Sequence, residues 1–278
     1  MADRGTSGKH LSGWLAEAGD AIVSVLFPAG CRLCERQLLR ASRVPICEQC
    51  LASFTALSGR VCQICGSPPE TSFVAIPGPS EATGAPEADQ PVCAACRVRT
   101  YRFDQARSYA AYDGALVRAI VMLKFERIEP LGTWFADRLA EVARREAQTL
   151  AVDIVVPVPL HRERERERGY NQAALIAKPL AKRLGLPYRA VLLMRTRPRP
   201  DKQVLSLSER WESVRGAFAT RPGSQVDKLR VLLVDDVVTT GATLDACAKA
   251  LRGAGAKSVI GLTVARAARR SIAAYDES

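Results

Sequence analysis

From residue 101 onward, short aliphatic and β-branched runs alternate with segments in which apolar residues recur every three or four positions. The first kind of run predicts buried strands and the second predicts amphipathic helices, so we expect an α/β fold with a parallel sheet. The predicted strands are 107–112, 153–158, 192–195, 231–234 and 259–264. The predicted helices are 115–125, 134–147, 170–184, 206–216 and 244–252, the fourth opened by a capping box of Ser206 and Glu209.

The first hundred residues follow a different pattern. Residues 1–10 are predicted to be disordered, and a helix is predicted over 12–26. The segment 11–27 carries Glu17 and Asp20, and no apolar run is long enough to cross a bilayer. We therefore expect neither a signal peptide nor membrane insertion, and we expect a cytoplasmic protein whose cysteines stay reduced.

The most informative stretch is Val231–Leu244, VLLVDDVVTTGATL. It reads as a buried strand, then Asp235 and Asp236, then a small-residue loop that enters a helix. Such a loop lies at the carboxyl end of its strand, where open α/β sheets bind ligands. Free N–H groups at the helix start and threonine hydroxyls suit a phosphate, whereas the aspartates suit hydroxyls or a metal bridging hydroxyls and pyrophosphate. The predicted ribose 5-phosphate pocket consists of Asp235, Asp236, Val238, Thr239, Thr240, Gly241, Ala242 and Thr243.

A simpler interpretation exists for parts of this stretch. Either the aspartate pair or the Thr-Thr-Gly sequence alone fits a buried strand that ends in a threonine-capped helix, with the aspartates merely solvated. The complete string favours the phosphate interpretation, because carboxylates and a phosphate-type loop stand next to each other.

A second candidate loop, Pro157–Gln172, follows the predicted strand 153–158 and should face the same crevice. Arginine and glutamate alternate within it, which for most of these residues predicts a solvated, self-neutralising segment. Pyrophosphate nevertheless needs backbone N–H groups and guanidinium groups. The candidate pyrophosphate loop consists of Val158, Pro159, Leu160, His161, Arg162 and Arg168, with a surface imidazole as the alternative for His161.

Eight of the nine cysteines form four Cys-x-x-Cys pairs. Two such pairs complete a tetrahedral zinc shell, and four in a row do not fit a thioredoxin-like redox motif, so structural Zn²⁺ is predicted. Neighbouring pairs are the simplest assignment, and pairing of the first with the third stays open. The ninth, Cys247, is predicted to be a buried thiol, and residues 71–91 read as a flexible insertion. The predicted ligands are Cys31, Cys34, Cys47, Cys50, Cys62, Cys65, Cys93 and Cys96.

The formal net charge of +11 suits anionic ligands, either nucleotide-like molecules or nucleic acid. The basic runs at 195–199 and 266–270 are candidates for phosphate contacts with single-stranded DNA. Aromatic residues make up only 6% of the chain, so platforms for base stacking are few.

Taken together, the cysteine pairs, VVPVPLHRERERERGYNQ, KQVLSLSERWESVRGAF and VLLVDDVVTTGATL resemble the ComF family from about Leu26 to Arg266. The resemblance implies a double zinc ribbon joined to a Rossmann-like domain of the type I phosphoribosyltransferase kind. It implies the divisions 1–27 (tail and packing helix), 28–100 (zinc ribbons) and 101–278 (phosphoribosyltransferase-like domain). One departure is Ser213, which stands where the family usually carries Asn.

The resemblance also implies ligands and a process. Asp235 and Asp236 would bind the ribose hydroxyls of phosphoribosyl pyrophosphate, residues 239–243 its 5′-phosphate and residues 158–162 its pyrophosphate, with Mg²⁺ present. The implied activity is phosphoribosyl transfer, with no catalytic residue assigned, and some members are linked to DNA uptake in natural competence. The alternatives are a non-catalytic protein that binds single-stranded DNA, and an adaptor that docks a competence helicase-type partner through its zinc ribbons.

Overall fold

The computed structural model describes residues 30–38, 42–68, 92–146, 151–198 and 206–267. The chain divides into two compact units, Met1–Phe54 and Thr55–Ser278. The predicted disorder at 1–10, the helix over 12–26 and the insertion at 71–91 lie outside the described residues, as do Arg199, Arg269 and Arg270.

In the first unit, the described residues form a cysteine knuckle and a short helix, α1 (Glu48–Ala52). The knuckle closes through an antiparallel bridge between Gly30 and Gln37, and the Cys31 N–H donates to the carbonyl of Arg36 at 2.8 Å. Cys47 is the N-cap of α1, so two cysteine pairs are presented by a turn and by a helix start.

The second unit alternates strands and helices, as the hydrophobic pattern predicts. Its strands are β1 (Gln105–Ala111), β2 (Ile154–Pro157), β3 (Leu193–Arg195), β4 (Phe218–Thr220), β5 (Arg230–Val238) and β6 (Ser258–Arg266). Its helices are α2 (Ala94–Val98), α3 (Gly114–Phe125), α4 (Pro130–Arg145), α5 (Arg162–Arg168), α6 (Gln172–Leu184), α7 (Leu207–Glu212) and α8 (Ala242–Gly253).

The main sheet has the strand order β1-β6-β5-β2, and every neighbouring pair is parallel. All four strands therefore end at one edge of the sheet, and the segments after β2 and β5 leave it side by side. This arrangement confirms the predicted α/β fold. β3 and β4 form a separate antiparallel pair.

The core of the second unit lies between the main sheet and the helices that cover it. β5 and β6 are buried along nearly their whole length, as expected of central strands covered on both faces. On one side α4 packs against α6, where a Cβ on Gly132 would lie 2.9 Å from the Cβ of Leu175, so the helices approach as closely as glycine allows. Leu244 and Leu251 of α8 join the core cluster that contains Leu233.

Several element boundaries differ from the predicted ones, among them the end of α7, which lies at Glu212 instead of 216, and the following three. α4 begins at Pro130, one turn earlier, because proline suits the first turn of a helix. β5 continues through Val238, since Asp235 and Val237 stay paired with β6 despite the two carboxylates. α8 begins at Ala242 instead of 244.

Four elements were not predicted at all, among them the short helices α1 and α2 that begin after Cys47 and Cys93. The Arg-Glu repeat forms the helix α5 instead of an irregular loop, because both residue types favour helices and opposite charges three or four positions apart attract. Its side chains are exposed except for the half-buried Arg168, so the predicted solvated character is right. β4 was missed because three residues after a predicted helix carry too little pattern. The capping box of Ser206 and Glu209 is confirmed.

Candidate ribose phosphate site and metal centres

The two predicted loops meet in one cavity of about 380 Å³. It lies where β2 and β5 end, because these parallel neighbours deliver their following segments to the same edge. The predicted residues that line it are Val158, Pro159, Leu160, His161, Arg168, Asp235, Asp236, Thr239, Thr240, Ala242 and Thr243.

Three predicted residues lie outside this lining. Val238 is buried, and its carbonyl accepts a hydrogen bond from the Ala267 N–H at 3.0 Å. Arg162 lines a neighbouring cavity of about 520 Å³ instead. Gly241 is the N-cap of α8 with φ +84°, and a Cβ there would lie 3.1 Å from the ring of Tyr101. Glycine is therefore required at position 241, both by the positive φ angle and by the packing of the Tyr101 ring.

The two aspartates are held in place by backbone donors. Asp235 and Asp236 are 8% and 4% exposed. The Asp236 N–H donates to Asp235 Oδ1 at 2.9 Å, and the Val237 N–H donates to Asp236 Oδ1 at 3.0 Å. Lys124, near the end of α3, forms an ion pair with Asp236 Oδ2. A buried carboxylate is thus balanced by an ammonium group before any ligand arrives.

Lys124 was not predicted as a site residue. The sequence shows only a basic residue near the end of an amphipathic helix, more than 100 positions before the aspartates. The tertiary fold alone brings the two together. Three more residues that were not predicted to belong to this pocket also line the cavity: Arg195, Arg210 and Ser213. The Ser213 Oγ donates to the Arg210 carbonyl at 2.9 Å.

The phosphate-type loop is ordered by its own hydrogen bonds. Thr240 Oγ1 accepts from the Ala242 N–H at 3.2 Å, and the Asp245 N–H donates to the Gly241 carbonyl at 2.9 Å as the first turn of α8 forms. The Tyr101 hydroxyl donates to the Thr240 carbonyl at 3.3 Å. The first N–H groups of a helix have no partner within the helix, so this helix start can receive an anion.

The second loop is tied to the sheet by Asn171. Its Nδ2 donates to the Val158 carbonyl at 3.0 Å, while its Oδ1 accepts from the Ala173 N–H at 2.9 Å and caps α6. The Val158 N–H in turn donates to the Val234 carbonyl at 2.9 Å. The backbone at the start of this loop is therefore fixed relative to β5.

Two side chains complete this wall of the cavity. The Arg168 guanidinium lies 4.9 Å from the centre of the Phe125 ring, and burial lowers its pKa. The His161 Nδ1 lies 3.4 Å from a carboxylate oxygen of Glu163. Lys124 and Arg168 therefore line the same cavity as the aspartate pair, so the cavity contains groups of both charges.

The eight predicted zinc ligands form two clusters in chain order. The first cluster is Cys31, Cys34, Cys47 and Cys50, and the second cluster is Cys62, Cys65, Cys93 and Cys96. The sulfur atoms of each cluster lie within 4.8 Å of one another, with 3.7 Å between Cys34 and Cys47 and between Cys65 and Cys93. The knuckles are thus paired with their neighbours.

Comparison with known proteins places the chain in a family. Residues 171–276 match the model of the phosphoribosyl transferase domain. The DNA utilization protein YhgH of Salmonella typhimurium is 30% identical over 237 residues, which cover 84% of this chain and 94% of that protein. The chain belongs to the ComF family. Competence protein ComFC of Bacillus subtilis, another relative of this ComF chain, is 28% identical over 272 residues, covering 90% and 98% of the two chains.

Among solved structures, the ComF chain is similar to a glutamine phosphoribosylpyrophosphate amidotransferase from B. subtilis complexed with ADP and GMP. The identity is 21% and the TM-score 0.36, over 52% of this chain and 30% of that one.

Both clusters of the ComF chain fit zinc. A tetrahedral centre with Zn–S bonds of about 2.3 Å places its sulfur atoms roughly 3.8 Å apart, close to the distances found here. Burial raises the pKa of Cys65 to about 11, against the opposing charge of Arg266, so a bound metal would be needed to keep this thiol ionised. Cys247 is fully buried as predicted, and burial raises its pKa well above the usual value.

The prediction for Arg266 is wrong. It was a candidate for DNA phosphate contacts, but it is only 5% exposed and its guanidinium bonds to Cys65. Within the part of the chain that the structure describes, no helix is long and apolar enough to span a membrane.

Proposed function

We propose that the cavity of this ComF-family protein binds phosphoribosyl pyrophosphate with Mg²⁺, and that the protein serves DNA uptake. The observation that carries the proposal is the meeting of an acidic pair, a helix start and several cations in one cavity. The competence and DNA utilization names of the relatives support the process.

Each part of the donor has a matching group in the chain. Residues 239–243 hold the 5′-phosphate with helix-start N–H groups and threonine hydroxyls. Asp235 and Asp236 accept from the ribose hydroxyls. Residues 158–161 and the Arg168 guanidinium face the pyrophosphate. Mg²⁺, when bound, neutralises part of the pyrophosphate charge.

The chemistry that this arrangement serves is phosphoribosyl transfer. Positive charge develops at the ribose carbon while pyrophosphate leaves, so the protein needs to orient the donor and stabilise separated charges. The buried aspartates lie on the ribose side, and Arg168 lies on the leaving-group side.

Calorimetric titration with phosphoribosyl pyrophosphate and Mg²⁺ tests the proposal. The variant Asp235→Asn/Asp236→Asn keeps the shape of both side chains and should lose at least about 10-fold in affinity, because each charged acceptor becomes a neutral amide with a single acceptor oxygen. The control Asp137→Asn changes a half-exposed carboxylate on α4 whose partner, Arg183, does not line the cavity, and it should bind as the wild type does. Equal affinity of all three proteins would overturn the donor site.

A second candidate function is binding of single-stranded DNA, and one groove favours it. An open cleft of about 1380 Å³ runs between α2, α7 and α8 and reaches Thr239 and Thr240 of the phosphate-type loop. We call it the α2–α8 groove; its lining includes the aromatic and cationic residues Tyr101, Trp211, Arg99, Arg102, Arg215 and Lys249.

The groove combines the two features that single strands require. The rings of Tyr101 and Trp211 lie 6.0 Å apart, and the Arg99 guanidinium lies 4.0 Å from the centre of the Trp211 ring. Cations outnumber the two acids in the lining, and one of those, Asp245, already accepts from the Arg102 N–H at 2.6 Å. Flat side chains flanked by positive charge suit bases and their phosphates.

Fluorescence anisotropy with a labelled oligo(dT) tests the groove. Arg99→Gln/Arg102→Gln should weaken binding and lower the slope of log K against log salt by about 1.4, at roughly 0.7 per lost phosphate contact. The matched control Arg118→Gln/Arg144→Gln removes two exposed charges elsewhere. Trp211→Ala should cost about 5- to 100-fold, and Trp211→Phe much less. Equal effects of the two arginine pairs would reject this groove.

A further inference from the structure

The second cluster is attached to β1, the outermost strand on one side of the main sheet. The Ala106 N–H of β1 donates to the Ile64 carbonyl at 2.7 Å, and Arg107 Nη1 donates to the Gln63 carbonyl at 3.0 Å. A Cβ on Gly66 would lie 2.5 Å from the Ala106 carbonyl oxygen, so this knuckle touches the strand backbone. The metal ligands Cys62 and Cys65 therefore frame a turn that covers the edge of β1.

A buried cation links the same knuckle to the centre of the sheet. Arg266 ends β6, and its Nη1 and Nη2 donate to the carbonyl and the Sγ of Cys65 at 2.6 Å and 3.3 Å. Within the described residues no carboxylate forms an ion pair with it. A buried guanidinium requires a nearby anion. Four thiolates around one divalent cation keep a net negative charge and supply it.

The position of Arg266 connects this charge to the phosphate-type loop. In the parallel register Arg266 lies opposite Val238, the last residue of β5, after which the loop begins. The Ala267 N–H donates to the Val238 carbonyl at 3.0 Å, which fixes the two chain segments together. Through Arg266 the second cluster thus contacts the carboxyl end of β6, beside the end of β5 from which the loop leaves.

We propose that the metal-loaded second cluster is an integral part of the ribose phosphate site, with Arg266 as the positioning residue that joins them. The first cluster belongs to the other unit, Met1–Phe54, and serves as the comparison. Metal occupancy of the second cluster and donor binding are then thermodynamically linked, because the cluster, through Arg266, and the donor, through the loop, stabilise the adjoining carboxyl ends of β6 and β5. The ligand-binding half of this inference rests on the proposed function.

Two cysteines provide a matched comparison. Cys47 and Cys93 are both partly buried, and each is the N-cap of a short helix, with φ, ψ of −70°, 157° and −67°, 156°. Cys47→Ser and Cys93→Ser therefore remove equivalent ligands from the two clusters. In the zinc-loaded full chain, each should lower the zinc content by one ion per chain.

Hydrogen exchange and donor binding then distinguish the roles of the two clusters. Cys93→Ser should speed hydrogen exchange of β1 and β6 amides at least about 10-fold and weaken phosphoribosyl pyrophosphate binding, whereas Cys47→Ser should change neither. Unchanged exchange in Cys93→Ser, or equal effects of both variants, would overturn the linkage. A wild type that binds no donor would reject the proposed function but leave the exchange test intact.

The role of Arg266 is tested on the metal itself. Arg266→Met keeps the length of the side chain and removes its charge, and should speed capture of the second zinc by a chromogenic chelator about 10- to 100-fold, the usual effect of losing an outer partner of a metal ligand. In cobalt-substituted protein the thiolate-to-cobalt charge-transfer band of that cluster should shift. Arg266→Lys should restore part of both. Identical release rates and spectra in wild type and Arg266→Met would refute the positioning role.

Discussion

Lys124→Met is predicted to destabilise the second unit by removing the cation that faces Asp236. The Lys124 side chain is 21% exposed and that of Asp236 is 6% exposed. Breaking a fully buried ion pair from one side costs about 3–5 kcal/mol, and losing an exposed pair costs roughly 0–1 kcal/mol. Because the ammonium keeps some contact with water, we expect about 2 kcal/mol. For a unit of this size that lowers Tm by roughly 4–8 °C.

The assay is thermal unfolding followed by circular dichroism, with Lys178→Met as the control. Lys178 is an exposed lysine on α6, so its replacement should change the free energy of unfolding by less than about 0.5 kcal/mol. Asp236→Asn alone should cost less than Lys124→Met, and the double variant should show a coupling energy of about 1.5 kcal/mol. A Lys124→Met protein as stable as Lys178→Met would refute the reasoning that the buried carboxylate depends on this ammonium.

Three further predictions concern single positions. Gly241→Ala should cost about 2 kcal/mol and weaken donor binding, whereas Gly223→Ala, at φ +77° with open space around it, should cost only about 1 kcal/mol in the same thermal assay. Asn171→Ala should lose about 2 kcal/mol in urea unfolding, whereas Asn171→Asp, which keeps the helix cap but cannot donate to the loop carbonyl, should lose about half of that. Arg230 lowers the pKa of Asp153 from 3.8 to about 2, so the ionised form is the one that stabilises the fold. Asp153→Asn should therefore cost about 1 kcal/mol above roughly pH 5, and its difference from the wild type should narrow as pH falls from about 4 to 2, measured by urea unfolding at several pH values.

Much of the site was predictable because its information is local. The stretch Val231–Leu244 contains strand, acidic pair, loop and helix start in sequence order, and each has its own residue pattern. The same holds for the four Cys-x-x-Cys pairs, whose spacing sets the metal chemistry. Short apolar runs that alternate with segments of three-to-four-residue period also sufficed to predict the α/β fold with a parallel sheet.

The remaining features depend on contacts between distant positions. Lys124 and Asp236 are far apart in sequence, as are Arg266 and Cys65, and no local pattern pairs them. Arg266 was interpreted as a basic surface residue because charge alone does not reveal burial. The helix α5 was missed because strict alternation of Arg and Glu has no apolar face, although both residues favour helices.

The most direct test of the account is a crystal structure of the zinc-loaded protein with phosphoribosyl pyrophosphate and Mg²⁺. The account predicts the 5′-phosphate against residues 239–243, ribose hydroxyls against Asp235 and Asp236, and pyrophosphate beside residues 158–161 and Arg168. A donor bound with its phosphate elsewhere, or a cavity that stays empty at saturating donor and Mg²⁺, would contradict it.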